Sequence, residues 1–264
     1  MTTIATSAPA VGNFHPNAMT SDPRTTDRSA ERFKDAQFLA RLTGLFFLLT
    51  YATSIPPVLT LYVPALSDPA FVLSGAPDMG LTWGAILEIL LIFFNIASAV
   101  AIYPVLKRRF PVLSLAFVSA RIMESAFIAM GIVAVLALGT LRLQAGEADP
   151  AALTVVGQAL VAIHDWTFKM GPGVVVGFGN GIILGYMMWR TRLLPRFVSI
   201  LGLIGGPALL AGSIGVMLGS FEFGSTIHSL TVTPEFFWEL TLGIWLLVRG
   251  FNAAALSALD ARQS

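Results

Sequence analysis

The sequence predicts an all-α fold, a polytopic transmembrane helical bundle of six spans, the fourth extended by an outer helical piece kinked near Pro172. Three observations predict it. The 264 residues are 55% hydrophobic and only 12% charged, where an ordinary soluble domain carries about 25% charged residues. The mean hydropathy is +0.77. The apolar residues also fall into separate runs of roughly 20 residues, the length a helix needs to cross the ~30 Å hydrocarbon core.

Residues 1–33 are rich in Thr, Ser, Pro, Ala and Asn, with little apolar material. No basic stretch leads into an apolar one, as a signal peptide requires. This segment reads as a disordered cytoplasmic tail, with alternating charges from Asp27 to Lys34 that suit a short helix at the membrane surface. A six-span domain covers 34–256, and 257–264 form a short cytoplasmic tail.

Span one is expected over 38–63, bent or ended by Pro56 and Pro57, because proline removes a helical hydrogen bond. Spans two and three are expected over 81–106 and 112–141. The fourth region, 153–189, is too long for a simple span and holds His164, Asp165, Lys169 and Pro172. It reads as a partly wet outer piece before Pro172 and a crossing piece after it; the alternative is two spans joined near 170–173. Span five is expected over 197–218 and span six over 236–248, with Thr233-Pro234 as a helix start.

Basic residues decide between six and seven crossings, since Lys and Arg gather in cytoplasmic loops. With six, 13 of the 16 basic residues fall on one side: Arg24 to Arg41, Lys107 to Arg109, Arg190 to Arg196, Arg249 and Arg262. The opposite loops hold Asp68, Asp78, Glu147, Asp149, Glu222 and Glu235. Both termini are therefore expected in the cytoplasm. Trp83, Trp166 and Trp238 should mark the outer boundary and Trp189 the inner one. Arg far outnumbers Lys, a bias associated with GC-rich bacterial genomes, so the expected location is the bacterial cytoplasmic (inner) membrane.

Composition also excludes functions. A net charge of +1 makes no electrostatic case for nucleic acid. The absence of cysteine excludes disulfides, thiolate metal sites and a cysteine nucleophile. His164, Asp165, Glu88, Glu124, Glu239 and His228 could donate to a metal, but no zinc-enzyme spacing occurs among them. There is no Gly-x-Ser-x-Gly elbow for a serine nucleophile. Neither a metal nor a cofactor is expected.

The informative residues are polar ones inside apolar spans, which are costly there and usually paired. Arg121 lies ten residues into span three, roughly 15 Å deep. Glu124 is on the same face, one turn farther out. Asn95 and Asn180 fall at similar depth on spans two and four, giving a midplane layer with Arg121. Glu88 shares a face with Asn95 and is a candidate partner of Arg121. His164, Asp165 and Glu239 are expected in an outward vestibule, with Asp165 and Lys169 spaced to pair and His228 in an outer loop. Gly173, Gly177, Gly181 and Gly185 recur every four residues on one helix face, which lets another backbone approach closely. That row reads first as packing within the bundle, then as a homodimer seam or a pore lining.

Several short motifs occur in order: RLTGLFFLLT at 41–50, AIYPVLK at 101–107, ARIMESA at 120–126, LGYMMWR at 184–190 and LPR at 194–196. Over residues 38–250 this order resembles the DUF4386 family of bacterial integral membrane proteins. It implies a carboxylate at Glu88, an Arg-x-x-Glu pair at Arg121 and Glu124, and a histidine at His164. The Asp165–Lys169 neighbourhood departs from the family pattern. The resemblance implies an integral membrane protein and brings no established activity.

The leading functional expectation is the handling of a small ligand, ion or proton, by a transporter or sensor using Glu88, Arg121, Glu124 and Asn180. One alternative is a lipid-acting enzyme with His164 and carboxylates at the outer face. The other is a scaffold packing through the glycine face. Expected partners are the lipid bilayer, a small-molecule or ion ligand and a second copy of the chain.

Overall fold

A computed structural model describes residues 23–146 and 148–261, with side chains described from residue 31 onward. Most of the expected N-terminal tail, the side chains of Arg24 and Arg28, Glu147 and Arg262 lie outside the described residues.

The described residues form helices and no strand. Helix α1 runs Pro23–Pro56 and passes without a break into a π-helical turn, Pro57–Leu61. Short helix α2, Val63–Ser67, and a 3-10 turn, Phe71–Leu73, complete the first far-end connection. Helices α3, Met79–Leu106, and α4, Pro111–Leu143, follow. The fourth region is one continuous helical column of 42 residues, Pro150–Thr191. It comprises α5, Pro150–Phe168, two π-helical stretches, Lys169–Val175 and Gly177–Leu184, and α6, Gly185–Thr191. Then come α7, Arg196–Met217, α8, Thr226–Val248, and α9, Ala253–Asp260.

The fold is thus an all-α bundle, with five helices among the described residues long and apolar enough to cross a membrane, or six if α8 and α9 count together. Those two meet at 83°. The polar residues of the first turns of α8, and Glu235 and Glu239 in its middle, dilute its hydropathy. Pro172 does not divide the fourth column into two spans. The wider π turn absorbs the missing proline hydrogen bond and lets the helix continue.

Three boundaries differ from expectation. Helix α1 begins at Pro23, so 23–33 are helical. Helix α8 begins ten residues before the expected start of span six, capped by Ser225, whose side chain accepts from the His228 amide at 3.3 Å. Pro234 therefore lies inside the helix. Finally, 253–260 are a helix packed on the bundle, with Leu256 and Leu259 buried. Their burial is what a sequence window centred on the preceding span overlooks.

The chain segments rich in arginine gather at one end. Gln37 and Phe251 exchange two hydrogen bonds, at 2.8 and 2.9 Å. The Asn252 amide donates to the Leu193 carbonyl at 2.9 Å. Arg108 pairs with Asp260 at 2.6 Å. Beneath them lies the largest apolar core, which includes Phe47, Ile102, Leu106, Met187, Met188, Trp238 and Leu246. A second core, with Tyr62, Phe71, Leu81, Val135 and Leu138, closes the far end.

Arg142 fastens that far end. Its guanidinium donates to the carbonyls of Ala76 and Phe71 at 2.7 and 2.6 Å and to Ser74 Oγ at 2.9 Å, and it stacks 4.0 Å from the Phe71 ring centroid. Arg142→Ala is expected to cost about 1.5–3 kcal/mol through these charged hydrogen bonds. It should also expose 68–78 to protease while leaving the Arg-rich end protected. Unchanged cleavage within that segment would contradict the fastening role.

Candidate functional site

The polar residues converge from several helices. On α4, Arg121 Nη1 meets Glu124 Oε2 at 2.8 Å, one helical turn apart. Both are buried, with 2% and 5% exposure. Asn95 on α3 donates to the other Glu124 oxygen at 3.0 Å, so both carboxylate oxygens are engaged. Arg121 Nη2 reaches Ser98 Oγ at 3.5 Å, and its guanidinium lies 5.0 Å from the Phe47 ring centroid on α1. Helices α1, α3 and α4 are thus tied together at depth by one ion pair. Coulomb attraction is strong where water is scarce, and each charge there would be costly alone.

Glu88 is not part of that pair. Its Oε2 accepts from the Tyr62 hydroxyl at 2.9 Å. Tyr62 reaches it across Gly84, one turn away, where an added Cβ would strike the phenol ring. Burial, with the Glu88 carboxylate beside it, pushes the Tyr62 hydroxyl above the ordinary tyrosine value, so it remains a donor. The ring packs edge-on against His164, with centroids 5.6 Å apart. His164 therefore sits behind Tyr62. Asp165 stands 3.8 Å from His164 rather than with Lys169, whose ammonium packs over the rings of Trp166 and Phe223. The four-residue spacing of Asp165 and Lys169 permits a pair, but the aromatic rings claim the lysine.

Asn180 bonds to α8 and not to the Arg121 pair. Its Nδ2 donates to Glu239 Oε1 on α8, and its carbonyl accepts from Trp238 Nε1 at 3.2 Å. Glu239 is not at a helix end. It lies thirteen residues after Thr226, because α8 starts early. Glu235, one turn before it, is only 2% exposed rather than interfacial. His228, expected in a loop, is buried in the first turn of α8, where its Nδ1 accepts from the Gly224 amide at 3.3 Å. Trp238 is fully buried over Gly202, not at a boundary belt.

The glycine row faces α7. A Cβ on Gly177 would lie 2.9 Å from the Gly206 carbonyl oxygen, and one on Gly185 would lie 3.3 Å from the backbone of Gly202. At Gly181 it would strike the backbone of Gly206. Gly173 stands opposite Ser213, with its Cβ position 2.7 Å from the hydroxyl.

Between these elements lies a cavity of about 560 Å³. It extends from the Arg121 layer to the far end, where Leu59, Val216, Phe223 and His228 line it. Glu88, Asn95, Arg121, Glu124, Glu235 and Glu239 all border it, among apolar walls such as Ile55, Leu91, Ile128 and Leu209. Glu239 is half-buried, and its access is to this space. Asn180 lies one hydrogen bond behind Glu239, and His164 lies off the cavity. Tyr51, Lys169, Glu235 and His228 also border the cavity, and of these Tyr51 alone has no signal in the sequence. The i, i+4 spacing of Glu235 and Glu239 puts the two carboxylates on one face of α8, as the sequence alone indicates.

A family model described as a domain of unknown function, DUF4386, matches residues 42–250. The chain belongs to the DUF4386 family. The matched span takes in α3, α4, α7 and α8 whole, and with them every residue bordering the cavity. No curated protein and no solved structure matches the chain. The DUF4386 match and the apolar helices together make this a multi-pass membrane protein in contact with the lipid bilayer.

Proposed function

We propose that this DUF4386 protein handles a small ligand in its central cavity, as a transporter or a sensor, with the Arg-rich end in the bacterial cytoplasm. One observation carries the reading. Six ionisable or amide side chains on α3, α4 and α8, with Tyr51, Lys169 and His228 besides, border a single cavity with apolar walls in a membrane bundle. Such a shape buries the apolar part of a ligand, while a few polar groups orient the rest. Ionisable residues kept at that depth are a pointer to function. Carboxylates are in excess there: Glu88, Glu124, Glu235 and Glu239 stand against Arg121 at depth and Lys169 near the mouth. A ligand with a positive or hydrogen-bond-donating end fits them best.

Two further readings lack a supporting observation. A lipid-acting enzyme would want His164 open to substrate, yet it lies behind Tyr62. A scaffold binding through the glycine face would want that face free, yet α7 covers it.

The test is a melting-temperature screen of purified protein against amphipathic cations, anions and neutral compounds, followed by flux in proteoliposomes. A compound that stabilises wild type is expected to lose most of its effect in Glu88→Gln and Glu239→Gln. Variants that respond like wild type, in both binding and proton or ligand flux, would overturn the reading.

A further inference from the structure

At the cavity wall, where α8 meets α7 and the fourth column, acceptor oxygens lie buried without donors. Both carboxylate oxygens of Glu235 are buried and make no hydrogen bond. The same holds for Asn180 Oδ1, whose residue is 0% exposed. Glu235 reaches the residue next to Asn180. Glu235 Oε2 lies 2.8 Å from the Cβ position of Gly181, the residue after Asn180, and 2.5 Å from that of Gly205 on α7. These glycines are what give the carboxylate room. Glu239, one turn along α8, holds Asn180 Nδ2, which leaves Asn180 Oδ1 as the free acceptor.

Unpaired acceptors in a low-dielectric interior are costly, and a carboxylate more so than an amide. A single proton on Glu235 would create one donor and satisfy one acceptor, leaving the set incomplete. A small hard cation takes several oxygens at once. Among the described residues, no three His, Cys, Asp or Glu side chains group as a metal site, so a multivalent ion lacks the charge it needs. The atoms are too enclosed for an organic cation. The Gly177–Leu184 stretch that carries Asn180 is π-helical, a rare geometry often found at functional sites.

We propose that Asn180, Glu235 and Glu239 form a binding site for a sodium ion, at the junction of the π-helical stretch with α7 and α8. The ion is held by the Glu235 carboxylate and Asn180 Oδ1, with Glu239 supplying the second negative charge one turn away. The site shares Glu235 and Glu239 with the cavity wall, but sodium binding is read without the cavity ligand, so either reading can fail alone. The groups that face Glu235 electrostatically are Glu239 on its own helix and Arg121 and Glu124 on α4. The Tyr51 hydroxyl on α1 is near as well. Helix α7, whose one ionisable residue is Arg196 at its start, presents Gly205 there. Sodium and protons therefore compete for the Glu235 carboxylate.

The experiment is thermal melting of the purified full chain in detergent, titrated with sodium chloride against choline chloride at fixed ionic strength. At sodium about tenfold above its dissociation constant, the melting temperature is expected to rise by about 3–6 °C. The rise should shrink as pH is lowered and be absent in Glu235→Gln, with size-exclusion chromatography confirming that the variant is folded. Asn180→Ser, should Glu235→Gln fail to fold, is expected to weaken the sodium response at least tenfold. Equal melting in sodium and choline between pH 6 and 9 overturns the proposal. So does a folded Glu235→Gln variant that keeps the sodium response.

Discussion

Arg121→Met is expected to destabilise the protein by about 3–5 kcal/mol, the cost of leaving one member of a buried ion pair alone. Glu124 would keep only the Asn95 amide as a partner, at 3.0 Å. Ser98 and Phe47 would lose their contacts with the guanidinium as well. The double change Arg121→Met with Glu124→Met should recover most of that loss, because neither charge then remains buried. Unfolding in a denaturing detergent, monitored by circular dichroism, measures both. If the single and double variants lose equal stability, packing around Arg121 and not its charge holds the three helices together. Glu124→Gln separates a structural role from a functional one, since it keeps the shape and the Asn95 contact. A variant that stays folded but no longer binds or moves ligand would assign the pair to the cavity.

The second large effect is expected at Gly181. Its Cβ position falls on the backbone of Gly206, 2.5 Å from that amide nitrogen, and 2.8 Å from Glu235 Oε2. Backbone cannot rotate aside as a side chain can, so α7 must move away from the fourth column. Gly181→Ala is expected near the top of the range of about 1–3 kcal/mol for overpacking, and Gly181→Val should abolish the folded state. Gly173→Ala is the control. Its Cβ would meet the Ser213 hydroxyl at 2.7 Å, which a change of rotamer relieves. Expression level and gel-filtration profile of the three variants give the ranking. Equal tolerance of Gly181→Val and Gly173→Ala would show that the two columns are not held in contact at Gly181 and Gly206.

Sites one turn apart on one helix were legible in the sequence, because α-helical spacing alone puts them on one face. Arg121 with Glu124 is the clear case, and the row from Gly173 to Gly185 is another. Partners on different helices were much less so. Asn95 and Asn180 lie at similar depth, yet one bonds Glu124 and the other Glu239. Depth fixes height along the membrane normal but not the rotation of a helix about its axis, and rotation decides which neighbour a side chain meets. Tyr62 was missed for a related reason. It sits in a connection beyond the first span and folds back over Gly84 to reach Glu88. Glu235 was misread because Pro234 looks like a helix start, and a residue beside a helix start looks wet. The Ser225 cap and the early turns of α8 move that start eight residues upstream of Pro234, so the carboxylate enters the bundle.

The sequence by itself determined that this is a multi-pass helical membrane protein. Run length, sparse charge and the ordered family motifs are properties of the chain read in one dimension, and each is tied directly to the thickness and polarity of a bilayer. Only the tertiary structure decided which polar groups share a space. The cavity, the oxygens of Asn180 and Glu235 that face one another's helices, and the shielding of His164 by Tyr62 all depend on how helices are turned and crossed. That turning is set by close backbone contacts such as Gly181 on Gly206, which are summed over pairs of helices and leave no local pattern from which to predict them.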